Sequence, residues 1–466
     1  MSERSSIPWY YRSLNFESLW DEFPPAPDYL NNIYLLSADA LRQIQEERFL
    51  LQMKRAWKIP FYKRHWASVG MQAGDISSLE DLTKIPPFEV ADLRDALDRN
   101  PPWGDFIGLD PDQDEPMPLV LHTSGGTTGM PRPMLFSPRD REVMNINTGR
   151  RLYMQGVRPF DVVQVVLSLG LANGAFLARE GIWKYTGAVP VMTGSGAQTS
   201  TKRQIEIMQA WKTKHLIGFP AYLRHIGYVM RDELQLDPHQ IGIRSLIVHL
   251  GVDDRKALED LWGAKVYDTY GTNECGSLAA ECEYQTGSHV FEDSFFLEIV
   301  DPETGKSCSP RERGLIYQTT LFKHLAPLIR FNSNDISAWA DGVCACGSKH
   351  RRIERIYGRQ DNMVKLRGTN IYPEAIGSLI AEQKVCNGEY VCVVESVNEA
   401  GRDEMTVFVE VVNELVDKIE FEKTLTIRCK EALGVKLIIR AVDVGNLEHM
   451  TGLSSTSKIR RLIDKR

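Results

Sequence analysis

The stretch Val162-Val163-Gln164-Val165-Val166-Leu167-Ser168-Leu169 decides how this chain is read. It is strand-length and rich in β-branched residues, and Gln164 and Ser168 interrupt it without breaking it. Four more runs of this kind follow, at Ala188–Met192, His215–Phe219, Ser245–Leu250 and Lys265–Tyr270. Helical patterns lie between them, as at Lys202–Trp211 and Ala257–Trp262. Such alternation predicts parallel strands joined by crossover helices, an α/β fold.

Working outward, Asp39–Lys58 predicts a helix, with apolar residues at Leu41, Ile44, Phe49, Leu50 and Met53. Leu315–Leu321 reads as a further strand, after the turn-rich Asp301-Pro302-Glu303-Thr304-Gly305. The tail has a different rhythm. Tyr390–Val397, Met405–Val412 and Leu437–Val444 read as strands around one helix near Leu415–Leu433, a small α+β unit. The junction falls between Gly358 and Asn362. The expected organisation is a large N-terminal domain over residues 1–359 and a small C-terminal domain over 360–466.

Composition limits the function. The 466 residues suggest two or three domains, and 43% hydrophobic with 25% charged is ordinary for a globular chain. Lys and Arg number 55 against 62 Asp and Glu, a net charge of −7, which argues against a nucleic-acid partner. The N-terminal MSERSSIPWYYRS lacks the apolar core of a secretory signal. The most apolar window, Val162–Ala178, is too short and polar to span a bilayer and reads as a buried strand and its following loop. Eight Cys are too sparse for a disulfide scaffold. A soluble, cytoplasmic protein with reduced thiols is expected, with room for a homodimer.

The chemistry begins at His122-Thr123-Ser124-Gly125-Gly126-Thr127-Thr128-Gly129-Met130-Pro131-Arg132. Glycines let a backbone approach a ligand, and hydroxyl and N–H groups donate to phosphate oxygens. The patterns GxxxxGK[ST] and GxGxxG are both absent, which excludes a P-loop or a Rossmann fingerprint. Three polar segments then recur after strands or at the domain junction: Tyr270-Gly271-Thr272-Asn273-Glu274, Arg330–Asp335 and Gly358–Pro373. Thr456-Ser457-Lys458-Ile459-Arg460-Arg461 comes near the end.

These five segments, in this order, resemble the core motifs of the adenylate-forming superfamily, which includes acyl-CoA synthetases. The chain is more closely similar to the phenylacetate–CoA ligase family. That likeness is carried by Ile59-Pro60-Phe61-Tyr62, Glu281-Cys282 with His289-Val290-Phe291-Glu292-Asp293, Asp301–Gly305 and Cys344-Ala345-Cys346-Gly347. It covers nearly the whole chain.

The resemblance implies an enzyme that joins a carboxylate to the α-phosphate of ATP, then passes the acyl group to the thiol of coenzyme A. It implies that Ser124, Gly125, Gly126, Thr127, Thr128 and Gly129 cradle the phosphates. Arg132 stands where many relatives carry Lys, keeping the charge and adding forked donors. Glu274 would hold Mg²⁺, Asp335 the ribose hydroxyls, and Arg359 the ribose or phosphate. Tyr270, Gly271, Thr272 and Asn273 would line the nucleotide, with Gly251 close to adenine. Lys458 would bridge carboxylate and α-phosphate. Asp361 would be the hinge, and Arg367, Gly368 and Asn370 would line the CoA path. Leu171, Phe176, Phe219, Tyr222 and His249 would wall a pocket for an aryl or aryl-like acid.

The chain departs from the family pattern in three places. Asn273 replaces the usual Thr or Ser, Val248–Asp253 replaces a Gly-Ala-Glu-Pro-like segment, and no Pro-Arg precedes Lys458. Two further functions stay open: adenylation with an amine, carrier-protein thiol or cofactor hydroxyl as acceptor, and a nucleotide-binding protein without catalysis.

Cys282, His289, Cys344 and Cys346 form a candidate set for structural Zn²⁺, since three thiolates and an imidazole suit tetrahedral zinc. The alternative is a group of buried reduced side chains. Cys386, Cys392 and Cys429 read as small core residues.

Overall fold

The computed structural model describes residues 7–108, 117–123, 131–366, 369–383, 385–396, 403–412, 417–452 and 459–466, without the side chains of Asn370 and Ser378. The chain divides into two compact units. The first comprises residues 1–160, 170–190 and 269–354, the second 161–169, 191–268 and 355–466.

In the first unit the helix Ala38–Ala56 starts where Ser37 accepts from the Ala40 N–H, and it buries Leu41, Gln45, Phe49, Gln52, Met53 and Ala56. Those positions follow the three-to-four residue period of one helix face. Two of them are glutamines, and Gln45 reaches the Glu292 carbonyl at 3.0 Å, so burial leaves its amide paired.

The helix Pro138–Met154 is the centre of this unit, and nearly all of its seventeen residues are buried. It packs on the helix Gly174–Tyr185 and the strand Gly276–Glu281. The two helices approach closely because glycines face the contact. A Cβ on Gly149 would lie 2.4 Å from Tyr185 Cβ, and one on Gly181 2.6 Å from Thr148 Cγ2. The expected loop after the 162–169 strand is therefore corrected from Gly174 onward, where the chain is helical.

The parallel sheet expected from the alternation belongs to the second unit. There Val162–Val165, His215–Gly218, Ser245–Val248 and residues 265–268 lie side by side in parallel register. The first unit is antiparallel. Residues 269–272 pair with Gly276–Glu281, which pairs with Ser288–Val290 and so on to Arg352–Ile353. Phe295–Val300, Arg313–Thr320 and Phe331–Ala338 form a second antiparallel array. A short loop can join antiparallel neighbours, whereas parallel ones need a crossover; residues 273–275 and 282–287 are such loops.

The tail carries the helices Pro373–Ala381 and Lys418–Leu433 with strands Cys386–Ser396, Asp403–Val411, Ile438–Asp443 and Leu462–Asp464. The longer helix buries Phe421, Leu425 and Cys429, one per turn, against this sheet. Cys392 is fully buried in the same core and Cys386 packs at its edge. All eight cysteines are free thiols. Among the described residues, no helix is long and apolar enough to cross a membrane.

Candidate active site

The strand Lys265–Thr272 ends, through its first-unit residues 269–272, in a tight turn before Gly276–Glu281, and Asn273 and Glu274 occupy that turn. Gly271 is required there, because a Cβ would sit 2.4 Å from the Gly276 carbonyl oxygen. Both flanking strands are fixed by pairing, which holds the turn in place.

Glu274 is held at both ends. Its carboxylate accepts from the Arg132 guanidinium, and both side chains are largely buried. Its carbonyl accepts from the Lys323 ammonium at 3.0 Å. Removing one member of such a buried pair leaves an uncompensated charge, at about 3–5 kcal/mol. Burial lowers the Lys323 pKa, opposed first by the Asp140 carboxylate. Asp140 is itself buried, and it accepts from the main-chain N–H groups of His324 at 2.6 Å and Leu325 at 3.2 Å. It thereby fixes the segment that presents Lys323.

The turn has a third support. Asn173, buried at the start of the helix Gly174–Tyr185, donates to the Asn273 carbonyl at 3.2 Å and accepts from Arg141. Burial brings Arg141 down to about 10. Beside the turn, Cys275 is buried, its thiol donating to Gln318 at 3.3 Å and pushed up to about 12 by burial.

Tyr270 and Asp335 meet from strands of two different sheets. The buried phenol donates to the Asp335 carboxylate at 2.8 Å, and Gln318 donates to the phenol oxygen at 2.8 Å. Burial, then the Asp335 charge, hold the phenol well above its ordinary pKa, so it remains a donor. The Ser333 hydroxyl accepts from the Asp335 N–H at 3.2 Å. Two donors are left over. The Arg132 Nε and the Thr272 hydroxyl are buried and have no hydrogen-bond partner among the described residues.

Also in this unit, the His122 ring lies 5.2 Å from that of Phe176, and its Nδ1 is 3.3 Å from the Leu171 carbonyl oxygen. The Leu171 side chain is exposed.

In the second unit, Gly251 has a left-handed φ of 57°. Phe219 and His249 rings are 6.3 Å apart. Tyr222 is part of the unit's apolar core, with its hydroxyl 3.3 Å from that of Thr201. Arg359 forks onto the Asp361 carboxylate at 2.9 and 2.8 Å. Ser124, Gly125, Gly126, Thr127, Thr128, Gly129, Arg367, Gly368 and Lys458 lie outside the described residues, as does the Asn370 side chain.

The sulfur cluster is compact. Ligand atoms of Cys282, His289, Cys344 and Cys346 all lie within 4.8 Å of one another. Burial, then the Arg352 charge, bring the His289 imidazole down to about 3, so it is neutral.

Lys323, Asp140, Asn173 and Arg141 were not singled out from the sequence. A buried lysine looks like a surface one in a single sequence. The available signal was Ser137-Pro138 followed by Asp140, a helix start with reciprocal capping, which places Arg141 and Asp140 on a helix.

Comparison with known proteins gives the class. Residues 368–466 match the family "AMP-binding enzyme C-terminal domain". The fold is close to that of 2-hydroxyisobutyryl-CoA ligase in its postadenylation state with 2-HIB-AMP. The TM-score is 0.83 at 26% identity, covering 93% of this chain and 91% of that one. Fold and site thus define an adenylate-forming enzyme, an AMP-forming acid–thiol ligase. Phenylacetate-coenzyme A ligase of Aromatoleum evansii is 29% identical over 459 residues, 95% of this chain and 98% of the relative. That of Pseudomonas putida is 29% identical, covering 89% and 93%. Over nearly its whole length the chain is similar to phenylacetate-coenzyme A ligases.

Proposed function

We propose that this chain activates an aryl or aryl-like carboxylic acid with ATP and transfers the acyl group to coenzyme A. The observation that carries the reading is Glu274, fixed at its carboxylate by Arg132 and at its carbonyl by Lys323. A carboxylate attacking a phosphate brings negative groups together, so the reaction needs charge neutralisation and alignment rather than a nucleophilic side chain. The leftover donors on Arg132 and Thr272 suit phosphate oxygens. Glu274 is a hard oxygen ligand of the kind Mg²⁺ takes together with substrate phosphates, and bound Mg²⁺ would neutralise triphosphate charge there. In this proposal Asp335 receives the ribose hydroxyls and is oriented by Tyr270.

Lys458 pairs the acid with the α-phosphate, Arg359 contacts the nucleotide, and Asp361 is the hinge about which residues 360–466 turn between half-reactions. The neighbouring rings of Phe219 and His249 favour a planar acid. Phenylacetate is the substrate named for the curated relatives, whereas the solved relative is named for a small aliphatic acid. The ion held by Cys282, His289, Cys344 and Cys346 is structural Zn²⁺, since four protein ligands leave no open position.

The test is a panel of aryl and aliphatic acids assayed for pyrophosphate release with and without CoA. An aryl acid should be preferred and CoA consumed. Adenylate formation without CoA consumption for any activated acid would replace this reading with another acceptor. Preference for short aliphatic acids would overturn the aryl assignment.

A further inference from the structure

The four ligands of the sulfur cluster come from two places, and a third segment leans on them. Cys282 follows the strand Gly276–Glu281, and His289 lies in its partner strand Ser288–Val290. Cys344 and Cys346 lie in the loop between Phe331–Ala338 and Arg352–Ile353, in a turn where the Gly347 N–H reaches the Cys344 carbonyl at 3.1 Å. The third segment is N-terminal. The Tyr34 hydroxyl is 3.3 Å from Cys346 Sγ, and its ring is 5.2 Å from that of His289.

The distances suit a tetrahedral ion. With Zn–S near 2.3 Å and Zn–N near 2.1 Å, tetrahedral angles put two sulfurs about 3.8 Å apart and a sulfur and nitrogen about 3.6 Å apart. Cys282 Sγ is 3.6 Å from Cys344 Sγ, and Cys346 Sγ is 3.5 Å from His289 Nε2. Without an ion, buried thiols and an imidazole have no strong reason to converge four ligand atoms on one point. Three sulfurs and one nitrogen also select zinc over magnesium or calcium.

The surroundings suit thiolates. The Thr286 oxygen accepts from Arg352 at 2.7 Å, which leaves its hydrogen for Cys344 Sγ at 3.5 Å. The Tyr34 hydroxyl can likewise donate to Cys346 Sγ at 3.3 Å. Coordination would release the thiol protons to solvent, and each sulfur would then accept a stronger, charge-assisted hydrogen bond.

We propose that Zn²⁺ in the Cys282–His289–Cys344–Cys346 site fastens the N-terminal segment Tyr29–Leu35 to the first unit, through donation from the Tyr34 hydroxyl to the Cys346 thiolate. This rests on the zinc assignment and adds a metal-dependent docking of the N-terminal segment. The rest of that segment is ready to follow. Ile33 places its carbonyl 3.0 Å from His350 Nε2, and Tyr29 packs its ring 5.8 Å from that of Phe291. Neutral Cys346 thiol is a weak acceptor, so an apo protein would hold Tyr34 by ring packing and a much weaker hydrogen bond.

The experiment uses the intact chain. Metal analysis of gently purified protein should find about one zinc per chain. Hydrogen exchange at residues 28–35 should rise severalfold after a chelator strips the ion, and fall back when Zn²⁺ is returned. Tyr34→Phe should keep its zinc yet show the faster exchange at 28–35 before stripping. Protein that neither contains zinc nor binds it under reducing conditions overturns the metal site. Zinc-loaded protein whose 28–35 exchange is unmoved by stripping, or by Tyr34→Phe, overturns the fastening while leaving the metal in place. Neither outcome bears on whether the acid substrate is aryl.

Discussion

The strand Gly276–Glu281 has a different kind of site at each end. At one end, the turn with Glu274 pairs a carboxylate with a guanidinium and leaves donors on Arg132 and Thr272 without a partner among the described residues. At the other, Cys282 joins His289, Cys344 and Cys346, with ligand atoms within 4.8 Å of one another. The open site is built from hard oxygen and charge, suited to groups that come and go; the closed one is built from sulfur, suited to an ion that stays. The lesson is that buried polar residues need separate accounts even on one strand.

Substitutions can break that contrast, and they rank by their effect on adenylate formation. Glu274→Gln should be most severe. It removes the oxygen charge and strands Arg132, so pyrophosphate release should fall about 10²–10³-fold, with zinc content unchanged. A loss of only a few-fold would remove Glu274 from the reaction.

Lys323→Met comes next. As a positioning residue it should reduce adenylate formation about 10–100-fold, the range for loss of an outer-shell partner. The KM for MgATP should rise, and thioester formation from supplied acyl-adenylate should stay near wild type. Lys323→Arg should restore part of the rate. Equal loss in both half-reactions together with a lower Tm would make Lys323 a packing residue only.

Cys344→Ser should invert the pattern. Zinc is lost and calorimetry shows a lower Tm, because structural-metal affinity is folding free energy. The adenylation rate per folded molecule should change far less than in Glu274→Gln. Retained zinc with an unchanged Tm would contradict the closed-site account.

Asp361→Pro should affect adenylation least. It breaks the fork to Arg359, an exposed pair that contributes at most about 1 kcal/mol, and it fixes φ near −65° at the proposed hinge. Adenylate formation should persist while CoA transfer collapses. Stopped-flow measurement of the two half-reactions decides this, and parallel loss in both would make Asp361 an ordinary turn residue.

Much of this contrast was legible in the sequence, and the illegible part has a physical cause. The Ala38–Ala56 helix announced itself by one apolar face, and the parallel strands by runs of Val and Ile. Cys282, His289, Cys344 and Cys346 were grouped by chemistry alone, because few other residue types make a tetrahedral sulfur site. The Pro138–Met154 helix was missed because it is buried on all sides and carries Asp140, Arg141, Glu142 and Arg150 inward. Periodicity has no signal when every face is interior. Tyr34 was missed for a different reason: its partner is 312 positions away, and a hydroxyl donating to sulfur leaves no spacing rule. The direction of the first-unit strands was also beyond the pattern, since a β run does not say which neighbour it will take.

That last point bears on the order in which the molecule assembles. The strand Lys265–Thr272 is parallel to Ser245–Val248 through residues 265–268 and antiparallel to Gly276–Glu281 through 269–272. The antiparallel half closes a tight turn, while the parallel half must wait for the helix Arg255–Trp262 to complete its crossover. Loop-closure entropy favours the shorter connection. The turn that carries Glu274 is thus among the cheapest long-lived contacts to form, a local hairpin on which slower, non-local pairings can later condense.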